Sequence, residues 1–216
     1  MIISKTPYRI SFFGGGTDYP IWFKKNKGAV LSVTIDKYIY IFLNSKSSIY
    51  HKDYKIVYSK TENKKKIDNI SHPSVRECFR NFKLKGGIEM HYMGDLPSRS
   101  GMGSSSAFTV GLLNSIYSLK NYKINKKELV QKAIEIEQKK IRENVGSQDQ
   151  VSASYGGFNL IKFSRNEKFI VKNIQKNFHN LNELNERLLL FYTGIKRKAP
   201  EIANTYTNKL NNSLNS

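Results

Sequence analysis

The sequence contains a single cysteine, Cys78, among its 216 residues. One cysteine excludes an intramolecular disulfide framework and a zinc site built from several thiolates. The four histidines are scattered, without the close helical spacing of a metal-binding pair. Because chains without disulfides are typical of reducing compartments, we expect a cytoplasmic protein.

Long apolar runs are also missing. No segment approaches the length of a membrane span, and the N-terminal "MIISKTPYRI" lacks the apolar centre of a secretory signal. The sequence therefore predicts no membrane-spanning helix and no membrane partner.

Acidic residues are scarce relative to basic ones. Seventeen Asp and Glu stand against 36 Lys and Arg, a formal net charge of +19. A field of this sign attracts nucleic acid, anionic membranes or phosphorylated small molecules and does not distinguish among them. A basic, solvated surface without a dedicated partner is the alternative reading.

The order of the periodic segments favours an α+β fold. "AVLSVTID" alternates, with Leu31, Val33 and Ile35 on one side, and predicts a half-buried strand. "KYIYIFL" follows and is interpreted as an antiparallel neighbour beyond a turn, and "YKIVYS" and "GIEMHYMG" alternate in the same way. Helical patterns dominate the second half of the chain, and strands preceding helices are typical of α+β domains.

Three helices and a late strand are predicted with defined ends. "SHPSVRECFRNF" predicts a helix capped by Ser71, and a second helix begins at the serines that follow position 103. The third runs from about Asn125 to Asn144, with a capping-box start and Gly146 at its exit. The stretch "ERLLLFYTGI", residues 186–195, is interpreted as a further strand.

The stretch "PSRSGMGSSSA" has the composition of an anion site. Gly101 and Gly103 allow backbone amides to approach a ligand, and the serines 104–106 lead into a helix whose first N–H groups are unpaired. The alternative is an ordinary capped helix after a flexible loop. No Lys follows the last glycine, so the segment is not a Walker A loop.

Three carboxylates lie in unusual sequence surroundings. Asp18 follows a strand and three glycines in "RISFFGGGTDYP", where it either binds a polar ligand or caps its own turn. Glu137 shares a stripe with Ile134 and Ile141, which predicts a buried carboxylate paired with Arg, Lys or a metal, or else a salt bridge at the stripe's edge. Asp149 in "GSQDQ" is suited to act as a base toward a substrate hydroxyl.

Together and in this order, these stretches resemble the GHMP kinase family. "YRISFFGGGTDYP" is similar to its first motif and "PSRSGMGSSSA" to its phosphate-binding motif, with Ser106 inserted before the alanine. The forms "GGGTDYP" and "GSQDQ" are most similar to the sugar-1-kinase branch, and within it to heptose 7-phosphate kinases. The resemblance extends over residues 1–198.

The resemblance implies ATP-dependent phosphorylation of the anomeric hydroxyl of a sugar. The implied substrate is D-glycero-D-manno-heptose 7-phosphate, converted to the 1,7-bisphosphate for nucleotide-activated heptose and surface polysaccharide synthesis. ATP and Mg²⁺ are the implied cofactors. The implied catalytic residues are Asp149, as the base or at least as the group that orients the hydroxyl, and Arg9 as the cation. The implied binding residues are Gly101, Gly103, Ser104, Ser105 and Ser106 for the ATP phosphates; Ser105 (or Ser104) and Glu137 for Mg²⁺; and Gly15, Gly16, Thr17 and Asp18 for the sugar. Arg99 is a further candidate phosphate contact.

The resemblance also implies a two-domain organisation. Residues 1–185 would form the GHMP kinase N-terminal domain, a fold shared with a ribosomal protein domain, and residues 186–216 the start of a ferredoxin-like C-terminal domain. The family's third glycine-rich motif is not found after Gly157. We therefore expect weak or absent activity of residues 1–216 alone, and self-association through apolar residues such as 188–191.

Two alternatives remain at this stage. A kinase for another sugar, of the fucose or galactose type, has the same motifs. A basic nucleic-acid-binding module is compatible with the charge, although the basic residues form no RNA-binding motif and are not interleaved with stacking aromatics. Nucleic acid is thus an unlikely partner, and a sugar phosphate and ATP are the expected ones.

Overall fold

A computed structural model describes residues 1–46, 53–98, 100–175, 180–191 and 194. Within these residues seven strands form one sheet: β1 (Ile2–Phe13), β2 (Gly28–Ser45), β3 (Tyr54–Val57), β4 (Thr61–Lys64), β5 (Ile88–Gly94), β6 (Phe158–Phe163) and β7 (Phe169–Asn173). Their order is β4-β3-β5-β2-β6-β7, with β1 paired to β2, and every pairing is antiparallel except that of β3 with β5.

Helices pack against this sheet, and the α+β class is confirmed. The α-helices are α1 (Pro20–Asn26), α2 (Pro73–Asn81), α3 (Ser104–Leu119), α4 (Lys126–Ile134), α5 (Gln148–Tyr155) and α6 (Leu181–Glu186). A 3₁₀ turn (Ile67–Asn69) precedes α2, and α4 continues directly into a π-helical segment (Glu135–Ile141). Of the described helices, none combines the length and apolarity that crossing a membrane requires.

Helix α3 lies at the centre of the helical layer, and its apolar residues are buried on both sides. Val110, Leu112, Leu113 and Ile116 are all at most 2% exposed. Gly111 allows the helix to approach the sheet closely, because a Cβ there would lie 2.7 Å from the hydroxyl oxygen of Thr6. The packing fixes the helix, and therefore its N-terminus, over the end of β1.

The predicted hairpin within residues 29–43 is wrong, because β2 is one continuous strand. Its first part pairs with β6 and its last part with β5, so both halves have partners without a turn. The buried side of the first half carries Val30 and Ser32, whereas Leu31 and Val33 are only half-buried. Ser32 faces the helices and its hydroxyl contacts that of Ser152 at 2.8 Å, a small pair that lets α5 lie close to the sheet.

Two predicted helix ends are shifted in the structure, and a third is confirmed. His72 rather than Ser71 precedes α2, and the Ser71 amide donates to the Glu62 carboxylate at 2.8 Å. The capping at Asn125 is confirmed, with its side-chain oxygen accepting from the Glu128 amide at 2.9 Å. The π-helical segment ends at Ile141 and the chain leaves it through Arg142 at φ 63°, so Gly146 is not the exit.

The expected strand at residues 186–195 is not formed where the chain is described. Glu186 closes α6, and residues 188–191 adopt no regular structure, with Leu189 and Phe191 exposed by 79% and 78%. The remainder of that stretch, apart from Gly194, and all of residues 195–216 lie outside the described residues. The C-terminal domain expected over residues 186–216 and the expected self-association of the chain therefore stay predictions.

Candidate active site

The glycine loop before α3 lies against β1 and α5. Gly103 is the residue that caps α3, in the left-handed region at φ 75°, and Gly101 has φ 79°. A Cβ at Gly103 would lie 3.3 Å from Arg9 Cγ and 3.4 Å from the Asp149 carboxylate. Glycine is therefore needed here both for its conformation and for the close approach of two charged side chains.

The N-terminus of α3 carries no negative charge of its own. Its cap is a glycine without a side chain, and no acidic residue lies in its first turn. Of the three serines that open the helix, Ser104 is half-buried, Ser105 exposed and Ser106 buried. Unpaired N–H groups and the positive end of the helix dipole suit this position to an anion such as a phosphate.

Arg9 and Asp149 form an ion pair beside this loop. Arg9 Nε donates to Asp149 Oδ1 at 2.7 Å, and Arg9 Nη1 donates to the carbonyl oxygen of Gly101 at 2.9 Å. Their side chains are 13% and 25% exposed, so both can reach a ligand at the surface. The backbone amide of Arg9 also donates to the Met102 carbonyl oxygen at 3.2 Å, which ties the loop to β1. The structure thus brings together two predicted residues that are 140 positions apart.

Glu137 points inward from the π-helical segment, as its spacing predicted. It is 1% exposed, and its Oε2 accepts hydrogen bonds from Ser106 Oγ at 2.8 Å and from the Gln150 side-chain amide. Its Oε1 is buried without a hydrogen-bond partner in the described part of the chain. Burial raises the pKa of Glu137 to about 7, because hydrogen bonding from the neutral side chains of Thr109, Ser106 and Gln150 only partly offsets the lost hydration. Single π-helical turns are often found at functional sites.

Within the described residues no Lys, Arg or His side chain forms an ion pair with Glu137, so the expected side-chain cation is not found there. Among the described residues no three His, Cys, Asp or Glu form a metal-binding group. A buried carboxylate oxygen without a partner next to a hydroxyl still fits Mg²⁺, which takes one or two carboxylates and completes its shell with phosphates and water.

The serine in contact with Glu137 is Ser106, whereas Ser105 and Ser104 were the serines expected to share a metal with it. Ser105 is exposed, and its carbonyl oxygen accepts from the Thr109 hydroxyl at 3.2 Å. Successive residues of an α-helix project about 100° apart, so only one of three consecutive serines can face Glu137.

The glycine turn after β1 forms hydrogen bonds within the turn and with the start of β2. A Cβ at Gly14 would lie 1.9 Å from the carbonyl oxygen of Ala29. The Thr17 hydroxyl donates to the Gly14 carbonyl oxygen at 2.8 Å and accepts from the Ala29 amide at 3.1 Å. Of the four residues expected on the sugar, Gly15 is the exposed one, whereas the polar groups of Thr17 and Gly16 are engaged within the fold.

Asp18, the expected direct ligand of the sugar, is completely buried, and its role toward a sugar stays a prediction. It is 0% exposed, and its two oxygens accept from the backbone amides of Gly16 at 3.0 Å and Gln148 at 3.1 Å. Burial raises the pKa of Asp18 to about 6, although the two amide hydrogen bonds act in the opposite direction. The contacts of the carboxylate are therefore with the turn after β1 and with the start of α5.

Comparison with known proteins identifies relatives of this chain. The family described as GHMP kinases N terminal domain matches residues 71–157. The D-glycero-alpha-D-manno-heptose 7-phosphate kinase of Campylobacter jejuni is 31% identical over 223 residues, which cover 97% of this chain and 64% of that protein. The chain contains a GHMP kinase N-terminal domain.

Two solved structures share the fold of this GHMP kinase domain. A D-glycero-D-manno-heptose 1-phosphate kinase from Bacteroides thetaiotaomicron superposes with a TM-score of 0.71 at 26% identity, covering 80% of this chain and 59% of that one. A putative sugar kinase from Campylobacter jejuni gives 0.70 at 28% identity, covering 95% and 66%. The chain thus spans about two thirds of the length of these relatives or somewhat less.

Sequence reasoning missed three residues of the site in this GHMP kinase domain. Gln148 and Gln150 flank Asp149, and their side chains contact Asp18 and Glu137 respectively. Gly146 admits the Asp18 carboxylate, since a Cβ there would lie 1.9 Å from Asp18 Oδ2. The amides beside Asp149 were visible in the sequence, but their partners lie far away along the chain. Arg99 lies outside the described residues.

Proposed function

We propose that the protein is an ATP-dependent sugar kinase that phosphorylates the anomeric hydroxyl of D-glycero-D-manno-heptose 7-phosphate. The observation that carries this proposal is the Arg9–Asp149 ion pair, which lies directly against Gly103 at the N-terminus of α3. A carboxylate, a cation and a free helix N-terminus at one place are the groups that phosphoryl transfer from ATP to a hydroxyl requires.

The phosphates of ATP would bind at the glycine loop. Gly101 and Gly103 let the backbone approach them, and the first amides of α3 with the hydroxyls of Ser104 and Ser105 supply donors. Binding energy at this position places the γ-phosphoryl group next to the ion pair. Positioning of this kind supplies much of the rate in phosphoryl transfer.

Mg²⁺ would be held by Glu137 and Ser106, the pair joined at 2.8 Å. When bound, the ion neutralises charge on the transferring phosphoryl group and its leaving oxygen. The unpartnered Oε1 of Glu137 is the protein atom that supports this assignment.

Asp149 would accept the proton of the sugar hydroxyl as its oxygen attacks the γ-phosphorus. The new O–P bond forms while the bond from the γ-phosphorus to the oxygen bridging to the β-phosphorus breaks, and ADP leaves. Arg9 holds the Asp149 carboxylate through Oδ1 and presents positive charge where negative charge develops. The hydrogen bond from Arg9 to Gly101 holds the glycine loop in a fixed position relative to Asp149.

The heptose phosphate is supported by the relatives rather than by the site itself. Two relatives that cover most of this chain have heptose phosphates in their names, although one is described for a 7-phosphate and the other for a 1-phosphate. The net charge of +19 is favourable for a substrate that carries a phosphate.

A coupled ADP-release assay tests the proposal in the protein as its gene encodes it. We expect turnover with the heptose 7-phosphate that exceeds turnover with fucose or galactose, and a loss of about 100- to 10,000-fold in Asp149→Asn, since general-base catalysis contributes that much. Asp36→Asn, an exposed aspartate on β2, is the matched control. Preference for a hexose would contradict the substrate, and full activity of Asp149→Asn would contradict the base.

A further inference from the structure

We infer that Asp18 is a positioning residue that fixes the start of α5 and thereby the place of Asp149. This inference rests on the proposed function, because Asp149 is the base only if the protein is a kinase. It assigns to Asp18 a role different from binding the sugar directly.

The carboxylate of Asp18 links two segments that are 130 residues apart. Oδ1 accepts from the Gly16 amide at 3.0 Å and from the Gln148 side-chain amide at 3.4 Å, and Oδ2 accepts from the Gln148 backbone amide at 3.1 Å. The carbonyl oxygen of Asp18 also accepts from the Ser147 amide at 3.0 Å. Side chain and backbone of one residue therefore hold two successive amides at the start of α5.

These amides need an external acceptor. The residue at the cap of α5 is Ser147, and its side chain makes no capping hydrogen bond. The Asp18 carboxylate takes the place of the missing cap, and its negative charge is favourable at the positive end of the helix. Asp149 is the second residue of this helix, so its backbone position follows from the place where the helix begins.

Gly146 provides independent support for the contact. Its φ is not in the left-handed region, so conformational freedom does not explain the glycine. A Cβ at this position would lie 1.9 Å from Asp18 Oδ2 and 2.6 Å from Cγ, well inside contact distance. The glycine therefore makes room for the carboxylate.

The test combines kinetics with hydrogen exchange in Asp18→Asn, Gly146→Ala and the double variant. Asn retains one acceptor oxygen, and Gly146→Ala disturbs the same contact from the other side. We expect kcat to fall about 100-fold in each single variant, as a displacement of about 1 Å can produce, with KM for the sugar changed less than about twofold because no sugar contact is lost. The double variant should be no slower than the slower single variant, because both break one contact.

Exchange of the Ser147, Gln148 and Asp149 amides should accelerate at least tenfold in both single variants, while Asp36→Asn leaves exchange and kinetics unchanged. A raised KM for the sugar with kcat and exchange retained would overturn the inference and restore Asp18 as a sugar ligand. Unchanged exchange at the start of α5 would overturn it as well.

The exchange measurement separates this inference from the proposed function. If the unaltered protein phosphorylates no sugar, the proposed function fails, whereas faster exchange in Asp18→Asn and Gly146→Ala still establishes that Asp18 fixes α5. If Asp18→Asn does not fold, Gly146→Ala carries the same readout with the carboxylate intact.

Discussion

Two buried glutamates in different regions of the molecule have opposite surroundings. Glu62 on β4 is 5% exposed and accepts hydrogen bonds from the Tyr58 hydroxyl at 2.5 Å and the Ser71 amide at 2.8 Å, with two lysine ammonium groups within 4.0 Å. Glu137 is 1% exposed, has only neutral donors and keeps one oxygen without a partner within the described chain.

The pKa values of the two side chains follow from this difference. Burial alone would raise the pKa of Glu62, but the Tyr58 and Ser71 hydrogen bonds outweigh it and lower the pKa to about 2. At Glu137 burial prevails and the pKa rises to about 7. Burial therefore does not distinguish a structural carboxylate from a functional one. A carboxylate with a complete set of partners stabilises the fold, whereas one with an unused oxygen is prepared for a ligand.

The largest expected effect is a loss of turnover on substitution of Glu137, which distinguishes this residue from Glu62. Glu137→Gln should lower turnover about 100- to 1,000-fold, the range found when one preorganised electrostatic group is lost, and should weaken the Mg²⁺ dependence of nucleotide binding. Its free energy of unfolding should stay the same or rise, because a neutral amide is cheaper to bury than a carboxylate. Assays of turnover and calorimetric titration of nucleotide with and without Mg²⁺ measure both effects.

Glu135→Gln is the control, since Glu135 lies in the same π-helical segment but pairs with Lys132 at 2.9 Å. Strong destabilisation of Glu137→Gln together with unchanged Mg²⁺ dependence would place Glu137 with Glu62 among the structural carboxylates.

The converse substitution, Glu62→Gln, should reduce stability and spare chemistry. Removing a charged acceptor of two buried hydrogen bonds costs about 3 kcal/mol in the free energy of unfolding, whereas kcat per folded molecule should change less than about twofold, a shift below about 0.5 kcal/mol. Urea unfolding followed by circular dichroism gives the first quantity. Loss of kcat without loss of stability would show that this region takes part in catalysis.

The comparison also shows which parts of the structure were accessible from sequence. Local patterns were sufficient for the capping at Asn125, the inward direction of Glu137 and the glycine loop before α3, because each depends on residues within a few turns. The continuity of β2 was not accessible in this way. Its first half is paired with β6, which lies more than a hundred residues later, and both its faces are partly apolar.

The details of the site could not be predicted from the sequence for a related reason. Three consecutive serines do not reveal which of them faces Glu137, since that depends on how α3 is rotated against the π-helical segment. The burial of Asp18 depends on Gln148 and on the missing side chain of Gly146. Sequence motifs pointed to Asp18 and Glu137, whereas the residues that contact them follow only from the tertiary arrangement: Gln148, Gln150 and Gly146.

The smallest expected effect concerns pH and isolates the role of Glu62. Because folding lowers its pKa from 4.5 to about 2, its ionised form contributes stability fully above about pH 5, and this contribution is lost as the pH falls toward about 2. The difference in unfolding free energy between the unaltered protein and Glu62→Gln should therefore shrink over that interval. Urea midpoints at several pH values measure it, with Asp36→Asn as control for an exposed carboxylate. A difference that is constant with pH would mean that Glu62 acts through its shape and hydrogen bonds, and not through its charge.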